Sequence, residues 1–216
     1  MIDAWLCMVG IIITGGAGFI GSHLAEHFSK EEKVTVLDNL SRKGSRYNWD
    51  YLKGKVALIN RDVNDSFDDI CKEADTIIHA AAQTAVTKSL VDPALDFKTN
   101  AAGTFNVLET ARRNDVKRIL YCSTNKVYGG MDVGVNEEEK RLNCVQESTS
   151  VDSGQHTPYG CSKLCGDLYV QDYAATYGIR AGVFRLSCVY GTRQFGVEDQ
   201  GWVSWFAIAT VLGRPI

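Results

Sequence analysis

Short apolar stretches of strand length alternate along this chain with longer segments of helical period. The stretches are rich in β-branched residues and are continuously apolar, which is typical of parallel strands buried on both faces. Strands are predicted at 9–14, 33–38, 56–60, 75–80, 118–123 and 180–187, and helices at 18–30, 66–72, 94–114, 159–177 and 202–212. This alternation predicts an α/β fold of the Rossmann type, with a doubly wound parallel sheet covered by helices on both faces.

The composition is that of a globular chain with enough apolar residues for a sizeable core. Of 216 residues, 45% are hydrophobic, and 23 Lys+Arg stand against 26 Asp+Glu, which gives a formal net charge of −3. This balance, without a basic run, predicts neither nucleic acid nor a membrane surface as a partner. No apolar stretch approaches the roughly 18 residues of a membrane span. Residues 1–10 also lack the basic region of a signal peptide, so we expect a cytoplasmic protein.

The seven cysteines are odd in number, scattered along the chain and mostly set in apolar surroundings. Buried free thiols that act as small apolar residues fit this pattern better than disulfides do. We therefore expect reduced cysteines.

A glycine-rich run, residues 14–22, opens the first predicted helix with the spacing G-x-x-G-x-x-G. It follows a predicted strand and precedes a helix, which is the context of a dinucleotide-binding loop. Gly15 permits the tight turn, Gly18 lets the backbone approach a pyrophosphate, and Gly21 lets the helix pack closely on the strand. The pyrophosphate would then lie at the helix N-terminus, where backbone amides are unpaired.

The second predicted strand ends in Asp38, about 20 residues beyond the loop, as such sites require. A carboxylate accepts hydrogen bonds from ribose hydroxyls and repels a 2′-phosphate, so NAD is favoured over NADP. Arg42 nearby leaves NADP open. Further cofactor contacts are predicted at the start of the first helix, after the second strand, and at the ends of the third and fourth strands: Phe19, Ile20, Asn39, Ser41, Arg42, Asp62, Val63, Ala80, Ala81 and Ala82.

A metal site is an alternative interpretation of the first helix. His23-Leu-Ala-Glu-His27 spells the H-x-x-E-H pattern of some zinc peptidases, with both histidines on one helical face. This helix, however, begins at the glycine loop, where its N-terminus would face phosphate. We therefore predict no metal.

The second strong pattern is Tyr159-Gly-Cys-Ser-Lys163 at the start of a predicted helix. Four helical residues rise about 6 Å and return to nearly the same face, so the two side chains project together. A nearby ammonium favours the phenolate, which makes Tyr159 a candidate general base. Thr124, at the end of the fifth strand, could hydrogen-bond the same substrate hydroxyl, and Lys163 could also hold the nicotinamide ribose.

The same spacing occurs by chance at Tyr51-Leu-Lys-Gly-Lys55, which contains a glycine and runs into a strand. This copy is expected on the surface. An ordinary solvated helix face is also the alternative for Tyr159 and Lys163. The accompanying nucleotide loop and strand-end threonine favour catalysis there.

The glycine loop, Asp38, the Ser-Thr-x-x-Val-Tyr-Gly run at 123–129, the Tyr-x-x-x-Lys pair and the segment 185–191 together resemble the extended short-chain dehydrogenase/reductase family of nucleotide-sugar epimerases and dehydratases. The resemblance covers nearly the whole chain. It implies an NAD-binding Rossmann domain, here 8–190, and a smaller lobe for a nucleotide diphosphate sugar. Since family members are longer, 191–216 would be only the beginning of that lobe.

The resemblance also implies roles for individual residues. Ser123 would contact the cofactor, as would Asn100, although an amide that packs between helices is an equal alternative for Asn100. Thr124 and Asn125 would contact the substrate. Arg193 and Gln194 lie in a segment expected near the nucleotide sugar, with solvent-exposed loop residues as the even alternative.

Three sequence features select a branch of this family. Dehydratases carry Thr-Asp-Glu at the strand end where this chain has Thr124-Asn125-Lys126, so water elimination is not expected. The phrases at 125–129, 158–163 and 191–202 resemble the branch that inverts C2 of CDP-activated dideoxyhexoses through a transient 2-keto sugar. Alternatives are a UDP-hexose 4-epimerase or a non-catalytic NAD-binding sensor.

Members of the family commonly pair through two long helices, here 94–114 and 159–177. The resemblance therefore implies a homo-oligomer, either a dimer or a tetramer. Apolar residues on these helices, such as Phe97, Phe105, Leu108, Leu168 and Tyr169, could equally belong to an ordinary core.

Overall fold

Six parallel strands form one sheet in the computed structural model of the protein, which describes residues 10–129, 145–152 and 154–215. The strand order is β3-β2-β1-β4-β5-β6. In this doubly wound order, β2 and β3 are added on one side of β1, and β4, β5 and β6 are added on the other. The strands are β1 (Gly10–Thr14), β2 (Lys33–Asp38), β3 (Ala57–Asn60), β4 (Ala74–His79), β5 (Arg118–Thr124) and β6 (Arg180–Leu186). The predicted Rossmann-type α/β fold is confirmed.

Helices connect the strands and lie on both faces of the sheet. They are α1 (Phe19–Phe28), α2 (Ser45–Leu52), α3 (Asp68–Cys71), α4 (Val86–Val91), α5 (Pro93–Phe97), α6 (Gly103–Arg113), α7 (Pro158–Tyr177) and α8 (Trp202–Val211). A π-helical turn, Lys98–Ala102, joins α5 to α6, and a 3-10 turn, Asn125–Tyr128, follows β5. Within the described parts of the chain, no helix is both long and apolar enough to cross a membrane.

Alternate residues of the central strands supply two separate cores. On β1, Ile12 belongs to a buried cluster with residues of α3, α6 and α7, whereas Ile11 and Ile13 pack with Ala25 of α1 and Leu52 of α2. A fully buried Ile or Leu contributes about 1.5–3 kcal/mol to folding. Both faces of the sheet are therefore covered, and polar side chains meet where the strands end.

The sequence of α7 contains its own start and stop signals. Thr157 is the N-cap, and its hydroxyl accepts a hydrogen bond from the Gly160 amide at 3.2 Å. Pro158 occupies the first turn, where its missing N–H is not needed. Gly178 ends the helix with φ of 70°, in the left-handed region that glycine adopts without strain. These signals fix where Tyr159 enters the helix.

The predicted strands and helices agree closely with the structure, but two short helices, α2 and α4, were not predicted. The helix predicted at 94–114 is present, although the π-helical turn interrupts its α-helical hydrogen bonding. Between the 3-10 turn and α7, the stretch 130–157 contains several Ser, Thr and Gly residues and predicts a long loop. Residues 130–144, with the acidic cluster at 137–139, lie outside the described residues, and 145–152 forms only turns and irregular backbone.

The described cysteines are all free thiols: Cys71, Cys122, Cys161, Cys165 and Cys188. This agrees with the prediction of reduced cysteines. Their expected use as core residues holds for Cys71, which is buried, whereas Cys161 and Cys188 are exposed.

Candidate active site at the carboxyl edge of the sheet

The glycine loop passes so close to neighbouring backbone that two of its glycines leave no space for a side chain. Gly15 has φ of +66°, and a Cβ there would lie 2.6 Å from the Ala81 Cα. A Cβ on Gly21 would lie 2.3 Å from the Gly15 carbonyl oxygen. At Gly18 a Cβ would meet only the Gly15 oxygen, at 3.0 Å, so the space beside Gly18 is otherwise open. This open cradle at the N-terminus of α1 fits a pyrophosphate.

Asp38 ties the glycine loop to the end of β2. Its Oδ2 accepts a hydrogen bond from the Ala17 amide at 3.0 Å, and its Oδ1 accepts one from the Leu40 amide at 2.8 Å. Burial raises the pKa of the Asp38 carboxyl, while the two amides act in the opposite direction. The carboxylate therefore sits beside the cradle, where a ribose would lie, and its contact with ribose stays a prediction.

Asp62 organises the segment after β3, where further cofactor contacts are predicted. Its Oδ2 accepts from Asn39 Nδ2 at 2.6 Å, and its Oδ1 accepts from the Asn64 amide at 2.8 Å. Burial acts to raise the pKa of Asp62, but the hydrogen bonds from Asn64 and Asn39 outweigh it, and the net pKa is lowered. The Ser41 amide donates to Asn39 Oδ1 at 3.0 Å, and Val63 is buried behind this group. The structure thus brings these four predicted residues together.

The Arg42 guanidinium is occupied by protein contacts, although the sequence left it open as a ligand for the 2′-phosphate of NADP. Its guanidinium donates hydrogen bonds to Thr84, after β4, and to Gln200, near the start of α8. Burial lowers the pKa of Arg42. These contacts tie the segment after β2 to the segments after β4 and before α8, and Asp38 remains the residue that favours NAD over NADP.

The end of β4 lies against the glycine loop. The Ala80 amide donates to the Thr14 carbonyl oxygen at 3.1 Å, and the Ala81 amide to the Thr14 hydroxyl at 3.4 Å. Ala82 is half-buried next to them. Phe19 and Ile20 are half-buried in the first turn of α1. These predicted cofactor residues therefore border the cradle, and their contacts with cofactor stay predictions.

Thr124, Tyr159 and Lys163 meet at the ends of β5 and α7. Tyr159 is only 8% exposed and Lys163 only 2%. The Thr124 side chain acts to lower the pKa of the Tyr159 phenol, so the two side chains are neighbours. The Lys163 ammonium donates to the Cys122 carbonyl oxygen at 2.7 Å and lies 4.1 Å from the centroid of the Tyr121 ring. The structure therefore brings together the three predicted catalytic side chains, nearly sealed from solvent.

Burial dominates the titration of this group. It raises the pKa of Tyr159, whereas the Lys163 charge and the neighbouring Thr124 side chain act to lower it. Burial likewise lowers the pKa of Lys163. Lys163 thus acts in the direction predicted from the sequence, but burial has the larger effect on the pKa of Tyr159. Without a further positive charge, the Tyr159 phenol is therefore a weaker acid than a solvent-exposed tyrosine.

Short-range contacts seat the start of α7 against its neighbours. The Tyr159 amide donates to the Ser89 hydroxyl on α4 at 3.2 Å. A Cβ on Gly160 would lie 2.8 Å from the Lys126 carbonyl oxygen in the 3-10 turn. Thr124 caps that turn by accepting from the Lys126 amide at 3.3 Å. The turn, α4 and α7 thus hold the tyrosine close to the threonine.

Asn100 lies in the π-helical turn and makes the contacts of a packing amide. Its Oδ1 accepts from the Gln83 amide at 2.8 Å, and its Nδ2 donates to the Gln83 carbonyl oxygen at 3.0 Å and to Ser162 Oγ at 3.1 Å. Asp96, fully buried, accepts hydrogen bonds from Gln83 and Ser162. This network joins the segment after β4 to α7, and a contact of Asn100 with cofactor stays a prediction.

Two further predicted residues follow the end of β5. The Ser123 hydroxyl donates to Asp167 Oδ2 at 2.7 Å, so its side chain is used inside the protein. Asn125 begins the 3-10 turn, and its Oδ1 lies 3.5 Å from the Thr124 hydroxyl oxygen. The structure thus places Asn125 next to Thr124, and substrate contact stays a prediction.

Arg193 packs against α1 and α2. Its guanidinium donates to Glu26 Oε2 at 2.7 Å and to His23 Nδ1 at 2.6 Å, and it lies 4.6 Å from the centroid of the Tyr51 ring. The H-x-x-E-H pattern therefore anchors an arginine through His23 and Glu26. Gln194 donates to the Val189 carbonyl oxygen at 3.3 Å and accepts from Ser204. Substrate contacts of Arg193 and Gln194 stay predictions.

His79, at the end of β4, belongs to this region but was not predicted. The Thr104 hydroxyl donates to the Asn100 carbonyl oxygen, so it accepts from His79 Nε2 at 3.0 Å. His79 Nδ1 then accepts from the Thr14 hydroxyl at 2.6 Å. Burial, together with the charge of Lys163, lowers the pKa of His79 to about 3. A neutral histidine therefore links β1, the strand before the glycine loop, to the start of α6.

Comparisons with known proteins agree with this geometry. The NAD dependent epimerase/dehydratase family matches residues 11–216. CDP-paratose 2-epimerase from Salmonella typhi is 44% identical over 91% of this chain and 62% of its own length. A putative UDP-glucose 4-epimerase from Methanocaldococcus jannaschii is 34% identical over 91% of this chain and 61% of its own length.

The solved structures give the same picture. UDP-glucose 4-epimerase from Thermus thermophilus, in complex with NAD, has 32% identity and a TM-score of 0.79, covering 96% of this chain and 64% of that one. The chain thus spans about three fifths of the length of these relatives. The predicted family and its dependence on NAD agree with these matches. The chain belongs to the NAD dependent epimerase/dehydratase family.

Proposed function

We propose that this protein is an NAD-dependent epimerase that inverts C2 of a CDP-activated dideoxyhexose, converting CDP-paratose to CDP-tyvelose through a transient 2-keto sugar. The observation that carries the proposal is the buried meeting of Tyr159, Lys163 and Thr124 at the sheet edge that also carries the glycine cradle. The 44% identity to a CDP-paratose 2-epimerase supports the substrate class.

NAD fits the residues that are present. Gly18 has open space beside it at the N-terminus of α1, where no acidic residue lies in the first turn to repel a pyrophosphate. Asp38 would accept hydrogen bonds from ribose hydroxyls, and Asp62 and Val63 would border the adenine. Lys163 would hold the ribose next to the nicotinamide. When bound, NAD supplies a hydride acceptor and a positive charge at its nicotinamide ring.

The side chains of this protein provide orientation and proton transfer. A positive charge beside the phenol lowers the pKa of Tyr159 in the same direction as Lys163 does. Tyr159 then takes the proton of the C2 hydroxyl as that carbon is oxidised, and Thr124 hydrogen-bonds the same oxygen. After the ketone turns over, Tyr159 returns the proton. Acid–base catalysis of this kind contributes about 10²–10⁴-fold to the rate.

Asn125 distinguishes this chemistry from water elimination. A dehydratase needs an acid next to the strand-end threonine to shuttle a proton to the departing hydroxyl. Here Asn125 carries an amide, which neither accepts nor releases a proton at neutral pH. The residues beside Thr124 therefore favour epimerisation over dehydration, although dTDP-glucose 4,6-dehydratases are also among the relatives.

A UDP-hexose 4-epimerase is the second candidate, because relatives of that name match the sequence and the fold. Thermal unfolding with different nucleotide sugars separates the two. A ligand that binds only the folded protein raises the melting temperature, by an amount that grows with its concentration over Kd. We expect CDP-sugars to raise the melting temperature more than UDP-hexoses. The reverse order would favour the 4-epimerase.

Incubation with CDP-paratose in deuterated water tests the reaction itself. We expect NMR to show inversion at C2 with no solvent deuterium on that carbon, because the hydrogen returns within one site. Deuterium at C2 would contradict the proposed redox route and indicate proton abstraction from carbon. Binding of NAD without any turnover of nucleotide sugars would support the non-catalytic sensor.

Assembly and location are part of the proposal. Phe97, Phe105, Leu168 and Tyr169 are large apolar side chains that are 42–61% exposed on α5, α6 and α7. This exposed face supports the proposal of a homo-oligomer, a dimer or tetramer, which sedimentation analysis would test. The two-part organisation at 8–190 and 191–216 and the cytoplasmic location are proposed on the same family grounds.

A further inference from the structure

Asp167 is a buried carboxylate on α7 that the proposed chemistry does not use. It lies one turn beyond Lys163 and has no exposed surface. Arg185 of β6 donates to its two oxygens from Nε and Nη2, each at 3.0 Å. Ser123 of β5 donates at 2.7 Å, and Gln171 of α7 at 2.6 Å. One carboxylate therefore joins a helix and two strands.

Arg185 extends these contacts beyond the sheet. Its Nη1 donates to the Tyr128 hydroxyl at 2.8 Å and to the Glu147 carbonyl oxygen at 3.3 Å. Tyr128 closes the 3-10 turn that begins beside Thr124, and Glu147 lies on the way to α7. All three guanidinium nitrogens thus donate hydrogen bonds, and together they join β6 to α7 and to the two segments that flank the catalytic group.

The same helix face makes consecutive contacts with β5. Tyr159, Lys163 and Asp167 are spaced by four residues and so share one face of α7. Tyr159 meets Thr124, Lys163 donates to the Cys122 carbonyl oxygen, and Asp167 accepts from Ser123. Three residues of this helix face therefore lie beside three consecutive residues of the strand, and two of the three pairs are joined by hydrogen bonds. A shift of α7 along β5 would break all three contacts together.

We propose that Asp167, paired with Arg185, is a positioning residue that holds Tyr159 and Lys163 in register with Thr124 and balances the charge around Lys163. This inference rests on the proposed function and deepens it. A buried pair of this kind is costly to break, because removal of one partner leaves the other charge uncompensated.

Several titratable groups surround Lys163 on every element packed against it. Burial lowers the pKa of Lys163, and the negative charge of Asp167 acts to raise it. The other groups that act on Lys163, or on which its charge acts, lie on α7, β5, α5 and β4: Tyr159, Cys122, Asp96, Tyr121 and His79. Among them, only Asp167 is paired with an arginine that can be substituted independently.

The proposal predicts that two single substitutions shift the pKa of the Tyr159 phenol in opposite directions. Asp167→Asn leaves Arg185 as an uncompensated cation, which should lower the apparent pKa of the Tyr159 phenol by about half a pH unit or more. Arg185→Gln leaves Asp167 as an uncompensated anion and should raise it. The double substitution restores the balance and should return the phenol to within a few tenths of a unit of the parent.

The titration follows phenolate absorbance in the near ultraviolet, in the pH range where circular dichroism shows an intact fold. Nine tyrosines contribute to this signal. Each protein is therefore compared with its own Tyr159→Phe counterpart, and the difference isolates one phenol. Asp172→Asn, an exposed position on α7, is the matched control for loss of one carboxylate and should leave the phenol unchanged.

Opposite shifts in the two single variants would support the proposal, since a general distortion of the site has no reason to change sign. Equal shifts, or shifts no larger than that of the control, would overturn it. If only one single variant folds, the sign of its shift decides. If neither folds, kcat of the double variant decides: a loss of at least about tenfold supports the positioning role, and an unchanged kcat overturns it. Because the titration needs no substrate, an inactive parent protein would contradict only the proposed function.

Discussion

Two tyrosine–lysine pairs with identical spacing lie in opposite environments of this molecule. Tyr51 is 42% exposed, and its hydroxyl is hydrogen-bonded to Glu26, while the Lys55 ammonium lies 3.4 Å from the centroid of its ring. Tyr159 is 8% exposed and meets Thr124, and its lysine reaches past it to a backbone carbonyl.

The difference begins in the backbone. α2 ends at Leu52, and Gly54 turns the chain with φ of +76°, so Lys55 folds back over the ring. Tyr159 and Lys163 stay on one continuous helix that β5 supports from below. Equal spacing therefore brings a phenol and an ammonium together in both places, but only Tyr159 and Lys163 are buried beside a strand end, the environment that the proposed acid–base role requires.

The largest contrast is expected between the two tyrosines. Tyr159→Phe removes the proposed base and should lower kcat by about a thousandfold. Tyr51→Phe should change kcat by less than about twofold, because it keeps the ring that packs against Arg193 and removes only a hydrogen bond to the half-buried Glu26 carboxylate. Steady-state rates with a CDP-sugar measure both. Equal effects of the two substitutions would contradict the distinction drawn here.

Substitution of the two lysines should show that Lys163 matters for activity and not for stability. Lys163→Met replaces a buried ammonium with an apolar chain of similar length, so kcat should fall about a hundredfold, while the melting temperature stays level or rises. Lys55→Met should leave kcat unchanged. Activity and thermal unfolding of both variants provide the check, and a Lys163→Met protein with parental kcat would refute the role of this residue.

The protein should lose stability in acid because His79, which is buried and neutral in the folded state, takes up a proton more readily when the chain unfolds. Its pKa is about 3 in the folded protein, against about 6.5 in an unfolded chain. The unfolded chain thus binds the proton first, and stability is lost as pH falls from 6.5 toward 3. The slope should approach about 1.4 kcal/mol per pH unit, or about 2 kcal/mol by pH 5. Urea unfolding at several pH values should show this slope, and His79→Gln should reduce it.

The smallest contrast concerns the glycines inside the two motifs. A Cβ at Gly160 would lie 2.8 Å from the Lys126 carbonyl oxygen, whereas at Gly54 nothing lies within 4 Å. Gly160→Ala should therefore move the 3-10 turn and lower kcat severalfold. Gly54→Ala should keep kcat and cost about 1 kcal/mol of stability, because its φ is positive. The opposite pattern would show that backbone strain, and not contact with the turn, controls the site.

Local signals explain why much of the fold could be predicted. Each of these signals determines the structure of residues close to it in sequence. They are the β-branched runs of the buried strands, the glycine loop, and Thr157, Pro158 and Gly178 around α7. The short helix α4 carries no such signal. Its exposed Leu90 and Val91 give it no amphipathic period, and its one buried residue, Ser89, bonds the Tyr159 amide across 70 positions.

The candidate site was only partly predictable, because many of its contacts join residues that are far apart in the sequence. Tyr159 and Lys163 are recognisable because a helix brings positions four apart together. Asp96 and Ser162 meet across 66 positions, and Asp167 and Ser123 across 44. No spacing rule encodes such meetings, and the net pKa values depend on burial, which exists only once the sheet and helices have packed.

The crowding around the glycine loop affects how related sequences should be compared. At Gly15 and Gly21, neighbouring backbone atoms leave no space for a side chain. A descendant that had lost its cofactor would therefore still have to keep both glycines in order to fold. Gly18 carries no comparable demand from within the chain. Among divergent homologues, a side chain at that single position would therefore be the earliest sign that a lineage had given up its dinucleotide.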